Sequence, residues 1–169
     1  MKSPLAFTKS LLLGLAFTFV ATIGFSQSDS TDAKLLKVDK ASGLTVYKSD
    51  GKAFTGISLS SYTKTKHKEF ITYKDGKKDG PERTWYRNGK TKHEGQFENN
   101  SMEGVWKYYH MHGELMYDKT YHEDQLHGSF KHYHPNGQIS TEGQYAEGKK
   151  SGKWTFTDEK GNHFKDVEY

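Results

Sequence analysis

The 169-residue chain has no cysteine. That excludes a disulfide framework, a thiolate metal centre, a cysteine nucleophile and a lipid-modified cysteine at an export site. Aliphatic residues are also scarce. From Gly80 to the C-terminus there are five Val, Leu or Ile residues (Val105, Leu115, Leu126, Ile139, Val167) against fifteen aromatic ones, so any core there must be built of rings. A charge of one sign is missing as well: 25 lysines and arginines face 21 acids. Lys77, Lys78, Lys149 and Lys150 sit beside Asp75, Asp79 and Glu147, a mixed solvated surface and not a stripe that would follow nucleic-acid phosphates. No nucleic-acid partner is expected.

Catalytic signatures are absent too. There is no nucleophile motif, no phosphate-cradling glycine loop and no carboxylate pair singled out by its setting. Glu94, Asp118, Glu142 and Asp166 recur once per 24 residues, and an acid repeated in this way is structural or partner-facing, since catalysis needs one differentiated site. The chain is read as a non-enzyme without a cofactor.

One long apolar run is present, Leu11–Phe25, preceded by Lys2 and Lys9. At about 15 residues it falls short of the roughly 20 that span a bilayer. It reads as a secretory signal peptide over residues 1–26, with Gly24 and Ser26 before the cleavage point and Gln27 at the mature N-terminus. Cleavage removes two lysines and no acid, leaving 23 basic residues against 21 acidic. The expected location is the periplasm, the cell envelope or the exterior. Residues 27–42 are polar without a sustained period and read as a flexible leader, with room for a short helix at 33–40. From Gly43 the pattern alternates, and Asp50-Gly51 marks the turn of an opening hairpin.

Gly56, Gly80, Gly104, Gly128 and Gly152 stand 24 residues apart. A fixed short period marks a repeat protein whose units are stable only when stacked on neighbours. A second glycine follows nine residues later, at Gly89, Gly113, Gly137 and Gly161, twice as Asn-Gly. Asn88-Gly89 and Asn136-Gly137 predict two-residue type I′ hairpin turns. Each unit is thus a β-hairpin, with outgoing strands near 82–87, 106–111, 130–135 and 154–159, and the glycines are read as turn residues. Trp106, Phe130 and Trp154 form one aromatic column. Phe97, Tyr121 and Tyr145, with Tyr73 and Tyr169, form another on the return strands. These rings are the expected core.

The segments Gly-x-Trp-x-x-Tyr-x-x-x-Gly over Gly104–Gly113, Gly-x-Phe-x-x-Tyr-x-x-Asn-Gly over Gly128–Gly137 and Glu-Gly-Gln-Tyr at 142–145 resemble MORN-repeat variants, of the bacterial type in the family named for the YwqK antitoxin. The resemblance covers residues 43–169, with units starting near 56, 80, 104, 128 and 152. It implies an all-β fold, an elongated twisted antiparallel sheet of successive hairpins, and a binding or scaffolding role. The unit at 56–79 has Thr65 at its second glycine position and reads as an N-terminal cap. The last strand would be an open edge, blunted by Lys165, Asp166 and Glu168 and a route to edge-to-edge dimers.

Candidates for a partner-facing strip are Tyr86, His110 and His134, in one phase of successive units, with Tyr108 and His132 beside them; the competing reading is that they finish the packing of a thin sheet. His110-x-His112 and His132-x-His134 place two imidazoles on one strand face, but no further ligand completes a shell, and no metal site is assigned. The leading functional expectation is an exported scaffold that binds a protein partner. An exported antitoxin or immunity-type protein and a glycan- or lipid-surface module are the alternatives.

Overall fold

Two kinds of tight loop alternate along the chain from Lys66 onward, and between them they set the register of the strands they join. A computed structural model describes residues 30–63 and 66–169; the signal-peptide assignment lies outside them. The strands are β1 (Ser30–Asp32), β2 (Leu36–Val38), β3 (Thr45–Tyr47), β4 (Gly56–Thr63), β5 (Lys66–Lys74), β6 (Lys77–Trp85), β7 (Thr91–Glu98), β8 (Ser101–Tyr109), β9 (Leu115–His122), β10 (Gln125–Tyr133), β11 (Ile139–Ala146), β12 (Lys149–Thr157) and β13 (His163–Glu168). Strands β4 to β13 pair in chain order as one antiparallel meander, and β1 adds to β4 in parallel. The all-β sheet of successive hairpins expected from the repeats is what the chain forms.

Asn-Gly does not make the two-residue turn its composition predicts. The Tyr86 carbonyl accepts from the Gly89 N–H at 2.9 Å and the Tyr86 N–H donates to the Lys90 carbonyl at 2.8 Å, a three-residue loop closed by a left-handed glycine. Only the glycine of the pair has positive φ, 88° at Gly89. Asn88 serves another purpose: its Oδ1 accepts from the Lys90 N–H and its Nδ2 donates to the Met111 carbonyl at 2.7 Å. Asn136 does the same with Gln138 and the Glu159 carbonyl. Each such asparagine ties its loop to the equivalent loop of the next unit.

The two-residue loops with both residues left-handed lie at the opposite edge, at Asp75-Gly76, Asn99-Asn100, Glu123-Asp124 and Glu147-Gly148. Glutamate is an uncommon choice there, which hid these turns from a reading by turn propensity. Bonds to the preceding unit hold them. Asn100 Oδ1 accepts from the Lys78 N–H and Asp124 Oδ1 from the Met102 N–H, both at 2.7 Å. The outgoing strands consequently begin and end earlier than predicted, as Lys77–Trp85 shows against 82–87.

Not every glycine is a turn residue. Gly80, Gly104 and Gly128 lie inside strands, in register with Phe97, Tyr121 and Tyr145, and a Cβ at Gly80 or Gly128 would press on the side chain of Thr72 or Thr120. At Gly104 φ is +68°, a conformation that only glycine adopts freely.

The leader expected over 27–42 is, from Ser30 onward, built into the fold: β1, a 3-10 turn at Ala33–Leu35 in place of the short helix, and β2 paired with β3. The cause is local apolar burial. Leu36 packs with Phe54, Ile71 and Tyr73, and Phe54 is fully enclosed. Val46 bridges to Ala53 to close the Asp50-Gly51 hairpin. This end covers the first repeat hairpin, β4 and β5, where the sequence had suggested a cap.

Candidate functional site

Cross-strand register lines up two rows of side chains, one on each face of the sheet. On one face the neighbours run Arg83, Glu94, Lys107, Asp118, Lys131, Glu142, Thr155, Asp166. Signs alternate along most of this row, and opposite charges directly across a strand pair are stabilising. Arg83 pairs with Glu94, and Lys131 with Glu142 at 3.9 Å. Tyr109 donates to Glu94 at 2.7 Å and Tyr133 to Asp118 at 3.0 Å. Burial, with these bonds to carboxylates, raises both phenols, Tyr133 to about 12. The acid that recurs once per unit is thus one rung of a charge ladder.

The other face carries the adjacent row: Ile71, Glu82, Gly95, Trp106, Lys119, Phe130, Gly143, Trp154, Val167. Two glycines in it make room for two indoles. A Cβ at Gly95 would meet Trp106 Cδ2 at 2.2 Å, and one at Gly143 would meet Trp154 Cδ2 at 2.3 Å. The Trp106 and Trp154 Nε1–H groups donate to the Gln96 and Gln144 carbonyls, each at 3.2 Å. Both indoles are almost wholly enclosed, 2% and 1% exposed. Phe97 and Tyr121 stand edge-on to Trp106, and Tyr145 edge-on to Trp154, whose other neighbours include Phe130. Of the six aromatics expected as the core, Trp106 and Trp154 are buried, and Phe97, Tyr121, Phe130 and Tyr145 are half-buried rings packed against them.

The row breaks at Lys119, which stands directly between Trp106 and Phe130 where a unit on either side has glycine. Its ammonium lies 4.5 Å from the Tyr117 ring centroid, 5.2 Å from Tyr108 and 6.0 Å from Phe130. Burial lowers its pKa, and no ion pair holds it among the described residues. His132 stacks on Tyr117, with centroids 4.7 Å apart, and bonds to the buried Ser140 at 2.7 Å. Burial, then the nearby His134, His110 and Lys119, push the His132 pKa down. Tyr108, Tyr117, Lys119 and His132 therefore form a half-buried aromatic cage with one positive charge.

A second irregular position is Glu82, which takes the place held elsewhere by Trp or Phe. It is 6% exposed and accepts from Lys78 Nζ and His93 Nε2, both at 3.1 Å. Burial raises its pKa, but the His93 bond and the Lys78 charge outweigh that and the net shift is downward. Thr84 bonds to the other His93 nitrogen at 3.1 Å.

The five strip candidates separate into two groups. Tyr86 and His134 sit at the three-residue-loop edge and bond to the next unit, Tyr86 to the Tyr109 carbonyl and His134 to the Thr157 carbonyl, each at 2.8 Å. His110 holds the equivalent position between them. Tyr108 and His132 instead lie in the cage around Lys119. Each His-x-His pair is divided as well, His112 lying exposed in its loop. No group of three or more His, Cys, Asp or Glu among the described residues is arranged to hold a metal ion. Lys119 and Glu82 were missed by the sequence reading, which followed what recurs. The signal was there in the columns Ile71, Gly95, Lys119, Gly143 and Glu82, Trp106, Phe130, Trp154, where one charged residue interrupts small or apolar ones.

Residues 78–99 and 126–147 match the family model described as a MORN repeat variant. These segments are the hairpins β6–β7 and β10–β11. The comparison with curated proteins returned no match. The chain therefore carries MORN-variant repeats, modules commonly used for binding and scaffolding and generally non-catalytic.

Proposed function

We propose that this is an exported binding protein that engages a protein partner in the cell envelope or outside the cell, through the ring-bearing face of its sheet. The observation that carries this reading is the contrast between the two faces. The ladder face sets its charges against one another, as at Lys131 and Glu142, whereas on the ring face lysines lie against rings, Lys119 among half-exposed ones and Lys150 over Trp154 and Tyr169. Tyrosines at a partly desolvated site are among the usual anchors of protein interfaces. Export rests on the N-terminal sequence, Lys2 and Lys9 ahead of Leu11–Phe25.

A glycan platform would need broad exposed rings, and the two indoles best suited to it, Trp106 and Trp154, are enclosed by their neighbours. An immunity-type role is the same mode of binding directed at a toxin, and it draws on the resemblance to the YwqK type. The test is a cross-linking pull-down from native cells with tagged full-length protein, identifying partners and the mature N-terminus by mass spectrometry. One stoichiometric protein partner and an N-terminus near Gln27 are expected. Retention on cell-wall polysaccharide with no protein partner, or an uncleaved N-terminus, would overturn the corresponding half of the reading.

A further inference from the structure

We propose that the cage around Lys119 is a docking site for an acidic side chain, an aspartate or glutamate carboxylate presented by a polypeptide. The inference rests on the reading that the ring face binds a protein, and it names the chemistry that face selects.

The cage is a localised exception in a regular structure. On either side of it an indole covers a glycine and closes the face. Between them Lys119 faces Trp106 on one strand and Phe130 on the other. The rings of Tyr108, Tyr117 and Phe130 give the ammonium a partial, non-ionic partner, since an aromatic face attracts a cation but does not neutralise it. A half-buried charge without a counter-ion bears a desolvation cost that an incoming anion removes. Lys131 has Glu142, Lys153 has Asp166 and Lys78 has Glu82, and Lys150, which also lies over rings, donates to the Tyr169 hydroxyl at 3.2 Å, whereas Lys119 makes no hydrogen bond or ion pair among the described residues.

The form of the site narrows the ligand. The Lys119 ammonium is its formal charge, and burial disfavours the charged form of His132; a single ammonium matches a carboxylate better than a doubly charged phosphate. A uronic-acid polymer would have to stack its sugars on rings, but His132 and the Lys119 ammonium already lie against Tyr117. An extended polypeptide can place one carboxylate on the ammonium and pack neighbouring side chains on the ring edges.

The test uses full-length mature protein and a fluorescein-labelled peptide of four Ser-Glu-Tyr repeats, with a Ser-Gln-Tyr peptide of equal length, followed by fluorescence anisotropy at low salt. The acidic peptide should bind at least about tenfold more tightly than the neutral one, the scale of a lost partly buried charge pair. Lys119→Met should abolish that preference while Lys119→Arg keeps it, and Lys131→Met, on the opposite face, should leave it unchanged. A melting curve for each variant reports folding, and the Lys119→Arg result carries the test if Lys119→Met unfolds. Equal affinity for the two peptides, or an undiminished preference in folded Lys119→Met, would overturn the proposal. Polygalacturonate competing at a lower carboxylate concentration than the acidic peptide would also overturn it. Retained ring-face binding in Lys119→Met would leave the broader reading intact, whereas loss of any protein partner from native cells would remove that reading itself.

Discussion

The indole of Trp106 lies directly over Gly95, so close that a single added carbon would sit 2.2 Å from its ring. Trp154 repeats the arrangement over Gly143. These two contacts explain how one layer of strands can enclose side chains as large as tryptophan. The glycine provides the floor, and rings from adjacent strands provide the walls.

Gly95→Ala and Gly143→Ala should each destabilise the protein by about 1–3 kcal/mol, the cost of overpacking a filled site. Chemical denaturation followed by tryptophan fluorescence checks this. Alanine at Gly148, where an added Cβ has open space but φ is +77°, separates crowding from backbone strain, because its tryptophan environment should be unchanged.

Gly113→Val should lower stability by about 1–3 kcal/mol, since φ is +102° there and a β-branched residue resists that region. An unchanged melting curve would contradict the loop assignment.

Tyr133 donates to Asp118 and keeps its proton to about pH 12 in the folded state, above the ordinary tyrosine value near 10. The sign follows from linkage: the unfolded chain ionises first, so this contribution to stability is complete below about pH 10 and is lost between 10 and 12. Tyr133→Phe should show a shallower loss of stability across that window. Ultraviolet phenolate titration of the two proteins is the direct check.

Glu82 has the opposite behaviour. Its folded pKa lies below the ordinary glutamate value of 4.5, so its stabilisation is present above that pH and fades as pH falls through the folded value. Glu82→Gln should cost about 1.5–3 kcal/mol at neutral pH, typical of bonds to a charged group. The gap to the native protein should close under acid conditions. A constant gap down to pH 3 would contradict the assigned bonding of Lys78 and His93 to this carboxylate.

The fold was legible because it is periodic. The 24-residue glycine column, the second glycine and the aromatic phases all report one hairpin unit, and the rings at Trp106, Phe130 and Trp154 fall where that unit puts them. The turn type was not legible. Asn88 and Asn136 serve as ties to the next unit, and the left-handed pairs include Glu123 and Asp124, whose conformation is held by bonds to residues 22 positions earlier, such as Met102. The built-in segment at 30–42 was obscured because it contributes few buried residues, Leu36 chief among them. Lys119 and Glu82 escaped for the complementary reason: a reading by recurrence passes over the residue that breaks the column, and such a residue is where a repeat protein can become specific.

Tyr108 and Lys107 are adjacent on β8 and serve opposite faces, the first in the Lys119 cage and the second in the charge ladder. Replacing each in turn with p-benzoylphenylalanine, in full-length protein expressed in its native cells, and irradiating tests the central claim most directly. A single stoichiometric protein adduct from position 108 and none from position 107 is the predicted result. An adduct from position 107 alone, or no protein adduct from either while the protein stays bound to cell-wall material, would contradict it.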